Sequence, residues 1–211
     1  VYKRQIYEEL SKSSARGIII TGSNQEYGDK DEGFYETDIC MPSTQYGLSK
    51  LCMTLTAHQL FKEYKLPTRI ARVFNPVGAL DNPKKLLPCI IHKVKSNEKF
   101  DLSSCIQKRD FIYIGDLMEG YSRLVEDLSR RNFEIFNLCS GEAISVKEFL
   151  ESLIKNMGKD ISLLNFGALK MRSGEPMISY GNNQKAIDIL GWKPSSIKEK
   201  VNNILNEILN E

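Results

Sequence analysis

Residues 17–28 read GIIITGSNQEYG, and this stretch decides the fold. Its first part, residues 17–21, is a short run rich in β-branched side chains. Such a run is typical of a strand that is buried on both faces of a parallel sheet. Gly22, Ser23 and Asn24 end the run. The sequence therefore predicts a buried strand followed by a polar turn, at the kind of strand end where ligands bind in open α/β sheets.

A helix and a second strand follow along the chain. Residues 44–65 have helical periodicity, and Ser43, which follows Pro42, is the predicted N-cap. The apolar residues of this helix lie near helical spacing and form one apolar face: Leu48, Leu51, Cys52, Leu55 and Leu60. Residues 68–74 read as the next strand, which residues 75–78 end. Strand–helix–strand alternation of this kind predicts an α/β fold with a parallel sheet.

The other elements are predicted from periodicity and capping residues. Ser145 caps a helix that runs through Met157, and Glu148 completes its capping box. A helix ends within residues 6–14, while residues 28–43 and 160–182 read as irregular. Further helices are predicted at residues 86–95, 116–128, 184–190 and 197–209, and further strands at residues 99–102, 111–114 and 133–138.

Composition excludes several classes of function. The 211 residues are 41% hydrophobic and 27% charged, with a formal net charge of +2. These values are ordinary for a soluble globular protein and imply no attraction to nucleic acid. No apolar run approaches the roughly 20 residues that cross a bilayer. We therefore expect neither a nucleic-acid partner nor a membrane partner.

The cysteines and histidines predict no metal site. None of the cysteines has the CxxC spacing of a zinc site: Cys40, Cys52, Cys89, Cys105 and Cys139. The only histidines are His58 and His92, too few for a histidine-based site. Scattered cysteines of odd number indicate reduced thiols, so we expect a cytoplasmic protein.

Tyr46 and Lys50 are four residues apart on the predicted long helix, so both side chains project from one face. A free phenol titrates at about 10, and an adjacent ammonium favours the phenolate. Tyr46 is therefore a candidate acid/base, which takes a proton from a sugar hydroxyl as hydride leaves the carbon, or returns it to a ketone. The alternative is a surface pair without a catalytic role.

Two more polar side chains are expected beside this pair. Ser23 and Asn75 each follow a predicted strand, at the end that faces the ligand crevice of a parallel sheet. A hydroxyl, a phenol, an ammonium and an amide then converge on one cleft. Ser23 is expected to hydrogen-bond the same sugar oxygen as Tyr46 and to hold it in place.

Six motifs resemble those of the extended short-chain dehydrogenases/reductases, the NAD-dependent epimerase/dehydratase family. In chain order they are TGSNQEYG at residues 21–28, YGLSK at 46–50, RVFNPVG at 72–78, RDFIYIGDL at 109–117, FNLCSG at 136–141 and LGWKP at 190–194. Because they run in the family's order over nearly the whole chain, the chain is identified as a member of this family.

The resemblance implies a role for individual residues. Ser23, Tyr46 and Lys50 match the family's catalytic triad. The implied cofactor-binding residues, for NAD or NADP, are Thr21, Tyr46, Lys50, Phe74, Pro76 and Val77. The implied substrate-binding residues are Ser23, Asn75, Arg109 and Arg172. The two arginines are assigned to the diphosphate of a nucleotide sugar, since the guanidinium fork suits phosphate. The alternative for each arginine is a surface salt bridge.

The implied function is NAD(P)-dependent modification of a nucleotide-activated sugar, by 4-keto reduction or 4-epimerisation. Family members that eliminate water carry an acidic residue just after the catalytic hydroxyl, where this chain has Asn24 and Gln25. An amide cannot accept that proton, and Glu26 comes one place late. A nucleotide-sugar 4,6-dehydratase and a non-catalytic nucleotide-sugar-binding relative are the alternatives, and a homodimer of the full-length parent is the expected assembly.

The sequence contains no G-x-G-x-x-G loop. We therefore expect a partial Rossmann-like parallel sheet that lacks its N-terminal strands, plus a small α+β substrate-binding domain. The cofactor domain is expected at residues 6–80 with 116–139, and the substrate domain at residues 81–115 and 140–211. Residues 1–5, VYKRQ, can be encoded by GTG TAT AAG AGA CAG, the end of a common sequencing-library adaptor. A cloning scar and an inactive fragment are therefore our hypothesis.

Overall fold

The computed structural model describes residues 2–209. Its helices are α1 Tyr2–Ser11, α2 Gln45–Tyr64, α3 Leu86–Lys95, α4 Ile114–Asp127, α5 Val146–Asn156, α6 Gln184–Leu190 and α7 Val201–Leu209. Its strands are β1 Ile18–Ser23, β2 Thr68–Val73, β3 Asn75–Val77, β4 Phe100–Leu102, β5 Lys108–Arg109, β6 Phe111–Tyr113, β7 Phe133–Leu138, β8 Ile144–Ser145, β9 Leu164–Phe166 and β10 Ile178–Ser179. Val1, the first residue of the hypothesised scar, lies outside the described residues. The other four scar residues, 2–5, form the start of α1.

The predicted parallel sheet is confirmed. β1, β2 and β7 are neighbours in that order. Ile18 pairs with Thr68 at the start of β1, and Ser23 pairs with Val73 at its end. Val73 in turn pairs with Leu138 of β7. The carboxyl ends of all three strands therefore meet at one edge of the sheet.

β1 is less buried than predicted. Its isoleucines, Ile18, Ile19 and Ile20, are half-buried, whereas Ile70 and Ala71 of β2 are fully buried. Within residues 2–209, β1 pairs with β2 alone, while β2 has a strand on each side. The expectation of burial on both faces is wrong for β1, because only a strand with neighbours on both sides is covered as completely as the pattern implies.

The long helix was predicted correctly in extent, but its cap and its buried face were not. The N-cap of α2 is Thr44, not Ser43, because the Thr44 hydroxyl accepts a hydrogen bond from Gly47 N at 2.9 Å. The predicted apolar face is largely exposed, with Leu48 at 53% and Leu55 at 59% exposure. Leu60 of the predicted face is buried, and the other buried residues of α2 are small: Gly47, Thr54 and Ala57. Small side chains let the helix approach the sheet closely.

The remaining strands form small sheets around the edge of the main one. β3 pairs in parallel with β6, so residues 75–78 do not simply end a strand as predicted; the chain exchanges one strand partner for another there. β4 pairs with β9, and β5 lies between β10 and β8. Because β9 and β10 fall within residues 160–182, that segment is more regular than its composition indicates.

Two apolar cores support these sheets. One lies against the main sheet and contains Leu124 of α4, Phe136 of β7 and Trp192. The Trp192 ring nitrogen donates to Asp116 O at 2.9 Å, which satisfies the polar atom of a fully buried side chain. The other core joins α3, α5 and α7, with Ile90, Leu153 and Ile204 at 0% exposure. The capping box of Ser145 and Glu148 at the start of α5 is confirmed.

Candidate active site

Ser23 is held at the carboxyl end of β1 by its own turn. It is the N-cap of a 3₁₀ turn at Asn24–Glu26. Its hydroxyl accepts from Gln25 N at 3.2 Å and donates to the Asn24 side chain at 3.4 Å. Its backbone N donates to Glu26 Oε1 at 2.9 Å. Main chain and side chain are therefore both fixed at the sheet edge.

The start of α2 lies against this turn. The Thr44 hydroxyl donates to Gln25 Oε1 at 3.0 Å. Lys50 Nζ donates to Thr21 O at 3.0 Å, two residues before Ser23. The same Nζ lies 5.6 Å from the centroid of the Tyr46 ring, and Tyr46 is 52% exposed. The structure thus places the Lys50 ammonium against β1, two residues before Ser23, with the Tyr46 ring beside it.

The predicted cofactor-binding residues differ in accessibility. Thr21 is exposed, and its hydroxyl shares a 2.6 Å hydrogen bond with the Tyr121 hydroxyl. Pro76 is exposed and Val77 is buried, and both line a cavity of about 340 Å³ that Asn75 also reaches. Phe74 is buried at 1% exposure. Its side chain is therefore closed off, and any contact it makes to a ligand in the cleft is through its backbone.

The three predicted substrate-binding side chains besides Ser23 share one cavity. Asn75, Arg109 and Arg172 come from β3, β5 and the segment after β9, and all three line a cavity of about 620 Å³. Asn24, the neighbour of Ser23, also lines it. The other lining residues are Gln25, Gly28, Asp29, Ser43, Thr44, Ser173, Gly174, Glu175, Pro176 and Ser179. Residues far apart in sequence therefore converge as the resemblance implies.

Acidic and basic groups are balanced within this cavity. Arg109 Nη2 lies 3.0 Å from Glu175 Oε1, and Arg109 Nη1 donates to Lys108 O at 2.8 Å. Burial lowers the pKa of Arg109, and the Glu175 carboxylate opposes that change. Gln107 Nε2 also donates to Glu175 Oε1, at 3.3 Å. The guanidinium that was assigned to a phosphate is thus occupied by a carboxylate of the same chain.

Asp110 supports the cavity from behind, a role that the sequence did not indicate. Its buried carboxylate accepts from Ser140 N and Ser140 Oγ, both at 2.7 Å, from Gly141 N at 3.0 Å and from Gly181 N at 3.2 Å. Its backbone O accepts from Asn75 Nδ2 at 2.8 Å. Burial raises the pKa of Asp110 to about 6, against the effect of these donors. Asp110 thereby positions both Asn75 and its neighbour Arg109.

Glu26 is a second supporting carboxylate. It is fully buried, and its Oε2 accepts from Thr54 Oγ1 at 2.9 Å and from Arg72 Nε at 3.0 Å. Gly22 leaves room for it, since a Cβ at that position would lie 2.5 Å from Glu26 Oε1. Glu26, which comes one place late in the sequence, does not line the cavity. A carboxylate one turn after a candidate catalytic serine was the available signal for this role.

No three His, Cys, Asp or Glu side chains cluster as metal ligands anywhere in the part of the chain that the structure describes. Among residues 2–209, no helix combines the length and the apolar character needed to cross a bilayer.

Comparison with known families decides the classification. The family model described as "NAD dependent epimerase/dehydratase family" matches residues 1–139, more than half of the chain. The chain belongs to this epimerase/dehydratase family. The family resemblance and the α/β Rossmann-like fold that the sequence predicts are thereby confirmed.

Relatives of this epimerase/dehydratase chain catalyse several reactions. It is 27% identical over 201 residues to dTDP-4-dehydro-6-deoxyglucose reductase of Escherichia coli, covering 90% of the chain and 60% of that protein. It is 33% identical over 136 residues to CDP-abequose synthase of Salmonella muenchen, covering 64% of the chain and 46% of that protein. The chain thus spans about 60% or less of the length of these two curated relatives.

A solved structure shows the same fold. UDP-glucuronic acid 4-epimerase from Bacillus cereus, in complex with UDP-glucuronic acid and NAD, superposes with a TM-score of 0.87 at 24% identity. The superposition covers 98% of this chain and 66% of the epimerase. The small sheets and the main sheet therefore share their arrangement with that enzyme.

Proposed function

We propose that this chain supplies the acid–base and nucleotide-sugar-binding part of an enzyme that modifies a nucleotide-activated sugar with NAD or NADP. The reaction is 4-keto reduction or 4-epimerisation. The observation that carries the proposal is the cavity of about 620 Å³, which joins Asn75, Arg109 and Arg172 to the turn that holds Ser23. Two guanidiniums and an amide suit a diphosphate. The turn that holds Ser23 borders the same cavity, where it can contact the sugar attached to that diphosphate.

Proton transfer is assigned to Tyr46. Its phenol is half exposed with the Lys50 ammonium beside it, so a proton can pass between the phenol and a sugar oxygen at the strand edge. Ser23 holds that oxygen by a hydrogen bond. Lys50 is fixed by Thr21 O, and its remaining N–H groups are free to bind ribose hydroxyls.

The residues at this edge fit a nicotinamide cofactor. The carboxyl end of β1 offers an exposed phenol and an ammonium, which match the hydroxyls of a nicotinamide ribose. Thr21, Tyr46, Lys50 and the backbone of residues 74–77 are the proposed contacts. The cofactor, when bound, supplies or accepts the hydride at the sugar C4. Proteins of similar fold solved with NAD, and one solved with NADPH, support a nicotinamide cofactor at this edge of the sheet.

Glu26 weighs against the dehydratase alternative. A 4,6-dehydratase needs a base beside the sugar in addition to the triad, and Asn24 and Gln25 are amides. The first carboxylate after Ser23 in the sequence, Glu26, is fully buried and paired with Arg72 at 3.0 Å. The dTDP-D-glucose 4,6-dehydratase of Homo sapiens is nevertheless 26% identical over 183 residues, so assays include dehydration. A non-catalytic binding protein is disfavoured by the presence of all three triad residues.

Nucleotide-sugar binding is tested on the chain itself. Titration calorimetry with UDP-, dTDP-, CDP- and GDP-linked sugars is expected to show binding that Arg109→Ala weakens by about ten-fold or more, because a charge-assisted bond to phosphate is lost. Arg123→Ala is the matched control, since Arg123 is an exposed arginine on α4, away from the cavity. Equal binding by Arg109→Ala and the unmodified chain contradicts the proposal.

The proposed proton transfer is tested with the protein that the natural gene encodes. Turnover of 4-keto-6-deoxyhexose nucleotides is expected to fall at least a hundred-fold in Tyr46→Phe, while nucleotide-sugar affinity is retained. Tyr35→Phe is the matched control: Tyr35 is 50% exposed, has Lys30 Nζ 5.8 Å from its ring centroid, and does not line the cavity. Unchanged turnover in Tyr46→Phe refutes the assignment.

The proposal also covers the assembly, the domain division and the cellular location. The exposed face of α2, with Leu48 and Leu55, supports a homodimer through that helix. The proposed division is a cofactor domain at residues 6–80 with 116–139 and a substrate domain at residues 81–115 and 140–211; the core that joins α3, α5 and α7 supports the substrate domain, whereas Trp192 packs in the core of the main sheet. The five free cysteines support a cytoplasmic location. Sedimentation, limited proteolysis and cell fractionation test these three statements.

A further inference from the structure

Arg109 is already engaged by a carboxylate of its own chain. Its Nη2 lies 3.0 Å from Glu175 Oε1, and the two side chains are only 14% and 25% exposed. Gln107 Nε2 donates to the same oxygen at 3.3 Å. A phosphate and a carboxylate make the same kind of charge-assisted bond to a guanidinium. An anion that binds Arg109 through Nη2 therefore competes with Glu175.

Glu175 is carried by a tight turn whose residues 172–174 are exposed. Glu175 N donates to Arg172 O at 3.4 Å, which closes the turn at residues 172–175. Gly174 has a φ of +72°, and no atom lies within 4 Å of the position where its Cβ would be. Arg172, at the other end of the turn, is exposed and lines the cavity. One turn thus carries both Glu175, whose carboxylate pairs with Arg109, and Arg172, an exposed second cation of the cavity.

We infer that Glu175 is an intramolecular competitor of the ligand, which occupies Arg109 until a diphosphate replaces its carboxylate. Release of Glu175 frees the turn, and Arg172 then binds the same diphosphate from the other side. The inference rests on the proposed function, because the competing anion is the diphosphate of the nucleotide sugar. Its physical basis is competition between two anions: the Arg109 Nη2 atom that pairs with the Glu175 carboxylate binds an entering diphosphate only when that ion pair breaks.

The test measures anion binding by the 211-residue chain. Inorganic pyrophosphate is titrated into the unmodified chain and into Glu175→Gln by calorimetry. Removal of the competing charge is expected to tighten pyrophosphate binding about three- to ten-fold, the range of a partly exposed ion pair. Glu175→Ala is expected to give a similar gain, which excludes an effect of the new amide. Glu119→Gln is the matched control, since Glu119 also pairs with an arginine, Arg123, but on α4.

A second pair of variants ties the gain to Arg109. In the Arg109→Ala background, Glu175→Gln is expected to leave pyrophosphate affinity unchanged, because the guanidinium with which Glu175 pairs is then absent. Thermal unfolding of each variant reports folding separately. A purely structural ion pair predicts a lower unfolding temperature for Glu175→Gln with the same pyrophosphate affinity.

The outcomes separate this inference from the proposed function. Equal or weaker pyrophosphate binding by Glu175→Gln overturns the competitor role, even where nucleotide sugars bind the unmodified chain and support the proposed function. A gain with pyrophosphate that depends on Arg109, without binding of any nucleotide sugar, supports the competitor role and refutes the proposed function. A chain and variants that bind neither anion overturn both.

Discussion

Arg69 and Asp127 form a buried ion pair whose disruption gives the most quantitative prediction for this protein. Arg69, on β2, is fully buried, and Asp127, at the end of α4, is 5% exposed in its side chain. Arg69 Nε lies 2.5 Å from Asp127 Oδ2. The guanidinium also donates to Thr68 O at 3.0 Å, to Asn132 O at 2.6 Å, to Asp127 O at 2.6 Å and to Asn132 Oδ1 at 2.8 Å. Asp127 supplies the only negative charge among these acceptors.

Asp127→Asn removes that charge and leaves the guanidinium buried. Loss of one partner of a buried pair costs about 3–5 kcal/mol. Because the other acceptors of Arg69 remain, we expect the lower end, a loss of about 3 kcal/mol in the free energy of unfolding. For a chain of this length, that corresponds to a decrease of roughly 6–12 °C in the unfolding temperature.

Urea and thermal unfolding of the purified chain measure this effect. Glu126→Gln is the matched control, since Glu126 is exposed on α4 and pairs with Arg123 at 3.4 Å. That change is expected to cost less than about 1 kcal/mol. A loss in Asp127→Asn no greater than in Glu126→Gln refutes the reasoning.

Three further predictions concern the site and its supports. Asp110 has its pKa raised from 3.8 to about 6, so the stability it contributes is fully present below pH 3.8 and is lost as the pH rises through about 6. The free energy of unfolding of the unmodified chain, relative to Asp110→Asn, is expected to fall by about 3 kcal/mol between about pH 4 and pH 7 in urea titrations. Thr44→Ala is expected to cost about 1 kcal/mol and Ser43→Ala less than about 0.5 kcal/mol by the same assay, because Thr44 is the N-cap of α2. Gly22→Ala is expected to lower stability by about 1–3 kcal/mol, since the new methyl group meets Glu26 Oε1.

Each of these has an opposite outcome. A difference between the unmodified chain and Asp110→Asn that does not change with pH shows that the Asp110 carboxylate ionises as it does in water. Equal costs for Ser43→Ala and Thr44→Ala remove the capping assignment. A neutral Gly22→Ala shows that Glu26 is able to shift away from β1.

Local patterns predicted much of the fold. The capping box at Ser145 and Glu148 involves residues three apart, and the helix at residues 184–190 ends at Gly191, which has a φ of +63°. Features of this kind depend on neighbours along the chain, so periodicity and capping residues identify them. The placement of Tyr46 beside Lys50 was predicted for the same reason, from helical spacing, and that of Ser23 from its position after a run typical of a strand.

Long-range contacts limited the rest. The donors to Asp110 come from Ser140, Gly141 and Gly181, at least 30 residues away. The apolar face of α2 was expected in the core, but a sheet approached through Gly47 and Ala57 leaves Leu48 and Leu55 outside. Which face of a helix is covered, and which carboxylate is satisfied, depends on partners that no local window contains.

The attachment of Lys50 has a practical consequence. Its ammonium binds the main-chain oxygen of Thr21, not a side chain. A carbonyl is present whatever amino acid occupies position 21, so the lysine keeps its anchor through any substitution there that preserves the strand. Position 21 is therefore open to library mutagenesis aimed at redesigning the cleft, because the Lys50 ammonium stays where the main-chain oxygen of residue 21 holds it.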